Sequence, residues 1–121
     1  DRCCYINKVL PLEPTLKSHE VWISGVRRDQ TQFRKGLKEE TTGIHDTLRY
    51  HPMLDWTSKM IWDYRKLYDL PEHPLDAQGY LSLGCVPCTR KWSPEDSERN
   101  ARWAGMTKVE FGIHTEFVEK Q

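Results

Sequence analysis

The sequence lacks any apolar run long enough to cross a bilayer: hydrophobic residues make up 37% of 121 positions and are scattered, so a transmembrane segment is excluded. It also lacks a charge imbalance. The 18 Lys and Arg are matched by 18 Asp and Glu, which excludes a strongly basic nucleic-acid binder and a polyacidic tail. No internal repeat or low-complexity tract is present. No initiator Met precedes Asp1 and no signal-peptide pattern follows it, which predicts a processed product or a fragment. What is present argues for a folded chain. Five Trp and five Tyr exceed what disordered segments carry, and the length predicts a single domain over residues 1–121.

Four cysteines carry the first chemical signal. They fall as an adjacent pair, Cys3 and Cys4, and as a Cys85-x-x-Cys88 pair far along the chain. Two disulfides, a zinc site and an iron–sulfur cluster are each compatible with four thiols. Adjacent cysteines do not readily bond to each other, and both would have to reach the distant pair within narrow limits. Zinc favours pairs spaced by two to four residues, which Cys85 and Cys88 satisfy and Cys3 and Cys4 do not. Spacing therefore favours a metal or cluster over disulfides without choosing between them.

Along the chain, Cys3 to Leu12 reads as an irregular lead-in, and Glu13 to Ser18 as a short helical turn. Val21-Trp22-Ile23 before Ser24-Gly25 predicts a buried strand ending in a turn. Residues Thr31 to Asp46 are polar and aperiodic, which predicts a mobile loop. Leu48 to Met53 predicts a second strand, broken by Pro52. Thr57 then caps a helix whose Met60, Ile61, Tyr64, Leu67 and Tyr68 recur at helical spacing, as core-packing residues do. Ser93, Pro94 and Asp96 predict the start of a last helix.

Three segments resemble one family. Cys3-Cys4-Tyr5-Ile6-Asn7-Lys8-Val9, with Pro11-Leu12, is similar to the C-C-x-x-x-K-V-x-P-L segment of the assimilatory sulfonucleotide reductases, the adenylylsulfate and phosphoadenylylsulfate reductases. Residues Trp22 to Gln30 resemble their W-x-x-G-x-R-R-x-Q stretch, and Gly79 to Arg90 their G-Y-x-S-I-G-C-x-P-C-T-R block. The resemblance implies an α/β fold: the C-terminal part of an adenine-nucleotide α-hydrolase-like reductase domain, with short strands and helices around the cysteines. It implies a [4Fe-4S] cluster on Cys3, Cys4, Cys85 and Cys88, with Lys8 beside it. It also implies that Arg27 and Arg28 hold the sulfate or phosphate end of the nucleotide, as planar guanidinium forks suit oxyanions. Arg90, Arg99, Arg102 and His114 take substrate-binding roles by the same resemblance. Taken alone, two adjacent arginines are more often a solvated surface pair, and Lys8 an ordinary surface lysine.

Two departures alter the expected function. The family's nucleophilic cysteine lies in an E-C-G-L-H segment, and here the matching residues are Glu110-Phe111-Gly112-Ile113-His114. A phenyl ring at Phe111 has no ionisable sulfur to attack a substrate. The family also carries a nucleotide-binding first half with an S-x-G-x-D-S loop ahead of the cysteine pair, and no such loop occurs here. The expectation is a non-catalytic [4Fe-4S] domain serving as a structural or interaction subunit. Other protein chains would pack where the first half is missing, and nucleotide binding would be weak or absent. An active sulfonucleotide reductase completed by another chain is the alternative, and an electron-transfer subunit the third. The cluster implies a reducing compartment: cytoplasm in a bacterium, or the plastid in a photosynthetic eukaryote.

Overall fold

A computed structural model describes residues 2–96 together with 99, 101–104, 106, 110 and 114. Helix α1 (Arg2–Cys4) leads through a π-helical segment, Tyr5–Val9, into helix α2 (Leu10–Lys17). The lead-in expected over Cys3 to Leu12 is thus helical. Pro11 has no N–H to give the Asn7 carbonyl, so α-register cannot run through it unchanged. The Leu10 N–H bonds instead to the Tyr5 carbonyl, five residues back.

Three short strands form one sheet in the order β1-β3-β2. Strand β1 (Val21–Ile23) runs parallel to β3 (Leu48–Tyr50), with Trp22 opposite Arg49, and β2 (Glu40–Thr42) pairs with β3 antiparallel. The Thr47 hydroxyl ties the sheet to the end of α2 by donating to the Leu16 carbonyl at 3.0 Å. Two expectations change here. The stretch read as a mobile loop, Thr31 to Asp46, contains the single-turn helix α3 (Gln32–Lys35), strand β2 and a 3-10 turn, Ile44–Asp46. Its elements are too short to show periodicity; pairing with β3 holds β2, and the Arg34–Glu110 pair holds α3. Strand β1 is also not buried: Val21 and Ile23 are exposed because alternation places them on the sheet face opposite Trp22, which packs on the apolar centre; β1 lies at the sheet edge, and among the described residues only its β3 side is paired.

Helix α4 (Ser58–Leu67) begins at the expected cap, where Thr57 Oγ1 accepts the Met60 N–H at 3.2 Å. Its apolar stripe, however, is not core. No residue of α4 is buried, and Met60, Tyr64, Leu67 and Tyr68 are all exposed, Leu67 to 75%. Periodicity reports that a helix has an apolar face; it does not report what covers that face. The rings partly cover one another, Tyr64 lying 5.5 Å from Trp56 and 4.5 Å from Tyr68 between centroids. The helix expected from Ser93 is a turn over its described part: Asp96 accepts the Ser93 N–H at 2.8 Å, the reciprocal half of a capping box. Residues 97, 98 and 100 lie outside the described residues.

The interior is small and mixed. Val9 and Leu16, with Leu12 and Trp22 packed on them, form an apolar centre. Elsewhere the buried residues are mostly polar: Arg27, Arg34, Thr47, Arg49, His51, Arg102 and Glu110. Burying guanidinium groups costs free energy unless they are paired, so this concentration marks a site more than a core. No helix among the described residues is long and apolar enough to cross a membrane.

Candidate functional site

A cavity of about 360 Å³ opens where four arginines meet: Arg27, Arg34, Arg99 and Arg102, with Gln30 and the 81–83 segment completing its wall. Arg27 leaves the turn after β1 in extended conformation. Its Nε lies 2.9 Å from Asp29 Oδ1 and its Nη2 donates to Ser58 Oγ at 2.8 Å, linking the cavity to the start of α4. Arg34, on α3, makes a fork-to-fork pair with Glu110, from Nε to Oε1 at 2.6 Å and from Nη2 to Oε2 at 2.7 Å. Thr31 also donates to Glu110 Oε1 at 3.0 Å, and Arg99 Nη1 approaches it at 3.7 Å. Burial pulls the Glu110 carboxyl upward, but Arg34, then Arg99 and Thr31, hold it below the usual carboxylate range. Guanidinium groups outnumber the carboxylates Asp29 and Glu110 at this cavity, so it favours an anion.

Arg28 diverges from its neighbour. It donates to the Leu37 carbonyl at 3.1 Å and pairs with Asp55, and it is absent from the cavity wall. Arg90 is likewise turned elsewhere, forked onto Asp96 at 2.7 and 2.6 Å.

A second group gathers Arg49 with two histidines. His114 stacks on Trp22 with centroids 6.0 Å apart and planes 9° from parallel. Arg49 sits 4.8 Å above the same indole and reaches His114 Nδ1 at 3.2 Å. Burial, then the charge of Arg34, with Arg49 and His51 adding and Glu110 opposing, lowers the His114 pKa to about 4. His51 is 1% exposed and pairs through Nδ1 with Ser24 Oγ at 2.6 Å. Its Nε2 has no hydrogen-bond partner among the described residues. Burial, then Arg49 and Arg34, lowers its pKa as well.

The cysteine pairs sit on two elements. Cys3 and Cys4 are on α1, and Asn7 steadies that turn by donating to the Cys3 carbonyl at 2.9 Å. Cys85 and Cys88 flank the 3-10 turn Val86–Cys88, closed by Cys88 N–H to the Cys85 carbonyl at 2.9 Å. No disulfide joins any of the four cysteines; Cys3 and Cys85 are exposed and Cys4 and Cys88 half-buried. Four cysteine thiols suit a thiolate-ligated metal or cluster in donor chemistry. As placed, no group of three or more His, Cys, Asp or Glu side chains among the described residues is arranged to hold a metal ion. Lys8 lies in the π segment, one turn on from Cys4.

The second cysteine pair joins the cavity through Arg102. Thr89 and Arg102 form an antiparallel bridge, and Trp103 N–H donates to the Cys88 carbonyl at 3.0 Å. Arg102 Nη1 donates to the Leu83 carbonyl, and its guanidinium fills the space a Cβ on Gly84 would need. Burial lowers the Arg102 pKa, while Cys85, Cys88 and Glu110 oppose that shift.

Sequence reasoning assigned no role to Arg34, Arg49, His51 or Glu110. Arg34 lay in an aperiodic polar stretch and Arg49 and His51 in a presumed ordinary strand; a buried charge leaves no mark on periodicity. Phe111 lies outside the described residues, between Glu110 and His114, which the structure does describe.

Residues 1–91 match the family model of the phosphoadenosine phosphosulfate reductase domain. The chain is 41% identical over 117 residues to an adenosine 5'-phosphosulfate reductase of Salinibacter ruber, covering 95% of this chain and 46% of that protein. It is 40% identical over 118 residues to adenosine 5'-phosphosulfate reductase 1 of Bacillus subtilis, covering 94% and 49%. For the adenosine 5'-phosphosulfate reductase of Burkholderia cepacia the identity is 42% over 115 residues, covering 93% and 46%. The chain therefore spans about half the length of the curated relatives it matches.

Proposed function

The chain belongs to the phosphoadenosine phosphosulfate reductase domain family, and from that premise we propose that it is a non-catalytic member. In this reading the arginine-lined cavity keeps a weak hold on a sulfate or phosphate group. The observation that carries the proposal is the pairing of a retained frame with a changed centre. Glu110 and His114 are both built into the arginine group, while the residues between them are Phe111, Gly112 and Ile113 and all four cysteines lie elsewhere. A nucleophilic step at 111 would need a thiolate, which Phe does not provide.

Cys3, Cys4, Cys85 and Cys88 would hold a [4Fe-4S] cluster, with Lys8 and Arg102 as nearby cations. Such a cluster ties distant segments together and contributes folding free energy. That role suits the few buried apolar side chains among the described residues.

A partner is proposed at the outer edge of β1. Parallel strands are normally covered on both faces, yet Val21 and Ile23 are exposed and β1 is paired only to β3 among the described residues. The occupant proposed is a polypeptide equivalent to the part of the relatives that this chain does not match. A second reading, an active reductase whose nucleophile and nucleotide-binding half come from such a chain, is favoured by the intact arginine cavity and by the names of the relatives.

One assay separates the two. Phe111→Cys, given adenosine 5'-phosphosulfate and a thiol reductant, is expected to release no sulfite when it is the sole chain present. Sulfite release by that variant on its own would overturn the proposal.

A further inference from the structure

Arg49 is a buried cation with no counter-charge among the described residues. It stands on β3 at 4% exposure, 4.8 Å from the centre of the Trp22 ring, with Nη2 3.2 Å from His114 Nδ1. Neither neighbour is an anion: burial, with nearby cations, holds the His114 ring neutral at pH 7. The Arg49 Nε is also buried, and it meets no hydrogen-bond partner among the described residues. The buried carboxylate Glu110 is taken up by Arg34, Thr31 and Arg99. A guanidinium removed from water is costly unless an anion compensates it.

A second nitrogen on the same face is in the same condition. Thr47, Arg49 and His51 are buried, while Leu48 and Tyr50 between them are half-buried, the alternation that puts every second residue on one face of a strand. His51 directly follows β3, is 1% exposed, and its Nε2 meets no partner among the described residues. The charges of Arg49 and Arg34 both act on that ring. Residues two apart on a strand stand about 6.6 Å apart, a gap between side chains that one ion can bridge. Ser24, just after β1, donates its N–H to the Tyr50 carbonyl at 3.0 Å, and its Oγ lies 2.6 Å from His51 Nδ1. When that hydroxyl donates to Nδ1, the neutral ring carries its proton at Nε2, so both unpartnered nitrogens are N–H donors.

We infer that Arg49 and His51 form a binding position for one small monovalent anion, of the size of chloride, with Arg49 Nε and His51 Nε2 as its donors. It lies at the carboxyl ends of the parallel strands β1 and β3, the end of such a pair at which ligands are received. Neither residue belongs to the wall of the arginine-lined cavity, so the inference does not rest on that cavity's reading. The ion supplies the counter-charge that Arg49 lacks and holds the His51 ring in place against Ser24. A water molecule could accept one of these hydrogen bonds but brings no charge. Two donors on one strand face suit a single atom better than a tetrahedral oxyanion, which has four oxygens to satisfy.

The test uses the full chain at pH 7, with chloride replacing gluconate at constant ionic strength so that screening stays fixed. In NMR spectra the Arg49 Nε–H and His51 Nε2–H signals should move together as chloride is added. In urea unfolding the folding equilibrium constant should rise about tenfold by about 100 mM chloride, the response of a site with a dissociation constant of about 10 mM. Arg49→Met keeps a flexible apolar side chain on Trp22 without the charge, and its stability should not respond to chloride. Inorganic sulfate should leave the Arg49 Nε–H signal in place.

A wild-type Arg49 Nε–H signal that ignores chloride would overturn the inference. So would a His51 proton found on Nδ1, because a bare Nε2 lone pair repels an anion. An equal chloride response in Arg49→Met would put the ion elsewhere and overturn it too, and a sulfate response at Arg49 as large as that to chloride would contradict a site built for a single atom. Should Arg49→Met not fold, the two wild-type signals still decide.

Discussion

Arg34 and Glu110 pair fork to fork almost wholly out of water, at 5% and 4% exposure, and the charge of Arg34 adds to burial in setting the state of His114. His114 is held neutral by burial first and by Arg34 second, with a pKa of about 4. In the unfolded chain a histidine takes its proton near 6.5. Between those two values the unfolded state binds a proton that the folded state refuses, so stability rises with pH across that window. It is fully present above pH 6.5 and is lost as pH falls through about 4. By pH 5 the loss is on the order of 2 kcal/mol, and His51, shifted the same way, adds to it. Replacing His114 with Phe keeps a ring on Trp22 and removes the titration. Urea unfolding at pH 7 and pH 5 should therefore show a clear loss for wild type and a smaller one for His114→Phe. Equal losses would contradict this account of the cluster.

At the scale of elements, α4 has no buried residue and draws its stability from its first turn. Thr57 accepts the Met60 N–H, and Asp29 accepts the Ser58 N–H at 2.7 Å while also holding Arg27 at the cavity. Thr57→Ala should cost about 1 kcal/mol, whereas Leu67→Ala, at 75% exposure, should stay within about 0.5 kcal/mol. Denaturant midpoints check the ordering, and a larger loss at Leu67 would mean that the stripe is covered after all. This helix also marks where the sequence was informative. Thr57 is legible because capping is local chemistry, written in adjacent residues. The fate of the stripe was not, because burial depends on what packs against a face. The cavity divides in the same way. Arg27, Arg99 and Arg102 were reachable through motif resemblance, while Arg34, Arg49 and the Arg34 partnership of Glu110 became visible only when α3, β3 and the segment near His114 were brought together.

For the molecule as a whole, two features belong together: exposed Val21 and Ile23 on a parallel edge strand, and few buried apolar side chains among the described residues. A small interior stabilises a domain weakly, and a thiolate-bound cluster joining α1 to the Val86–Cys88 turn would supply what the core does not. The four cysteines are outside any disulfide and exposed or half-buried. The central claim is therefore that this chain keeps a cluster while lacking the nucleophile, and anaerobic native mass spectrometry of the full chain tests it most directly. The account predicts the added mass of one [4Fe-4S] cluster on wild type and its loss from Cys85→Ser and from Cys4→Ser. A folded chain at its bare mass, or one carrying a single zinc ion, would contradict it.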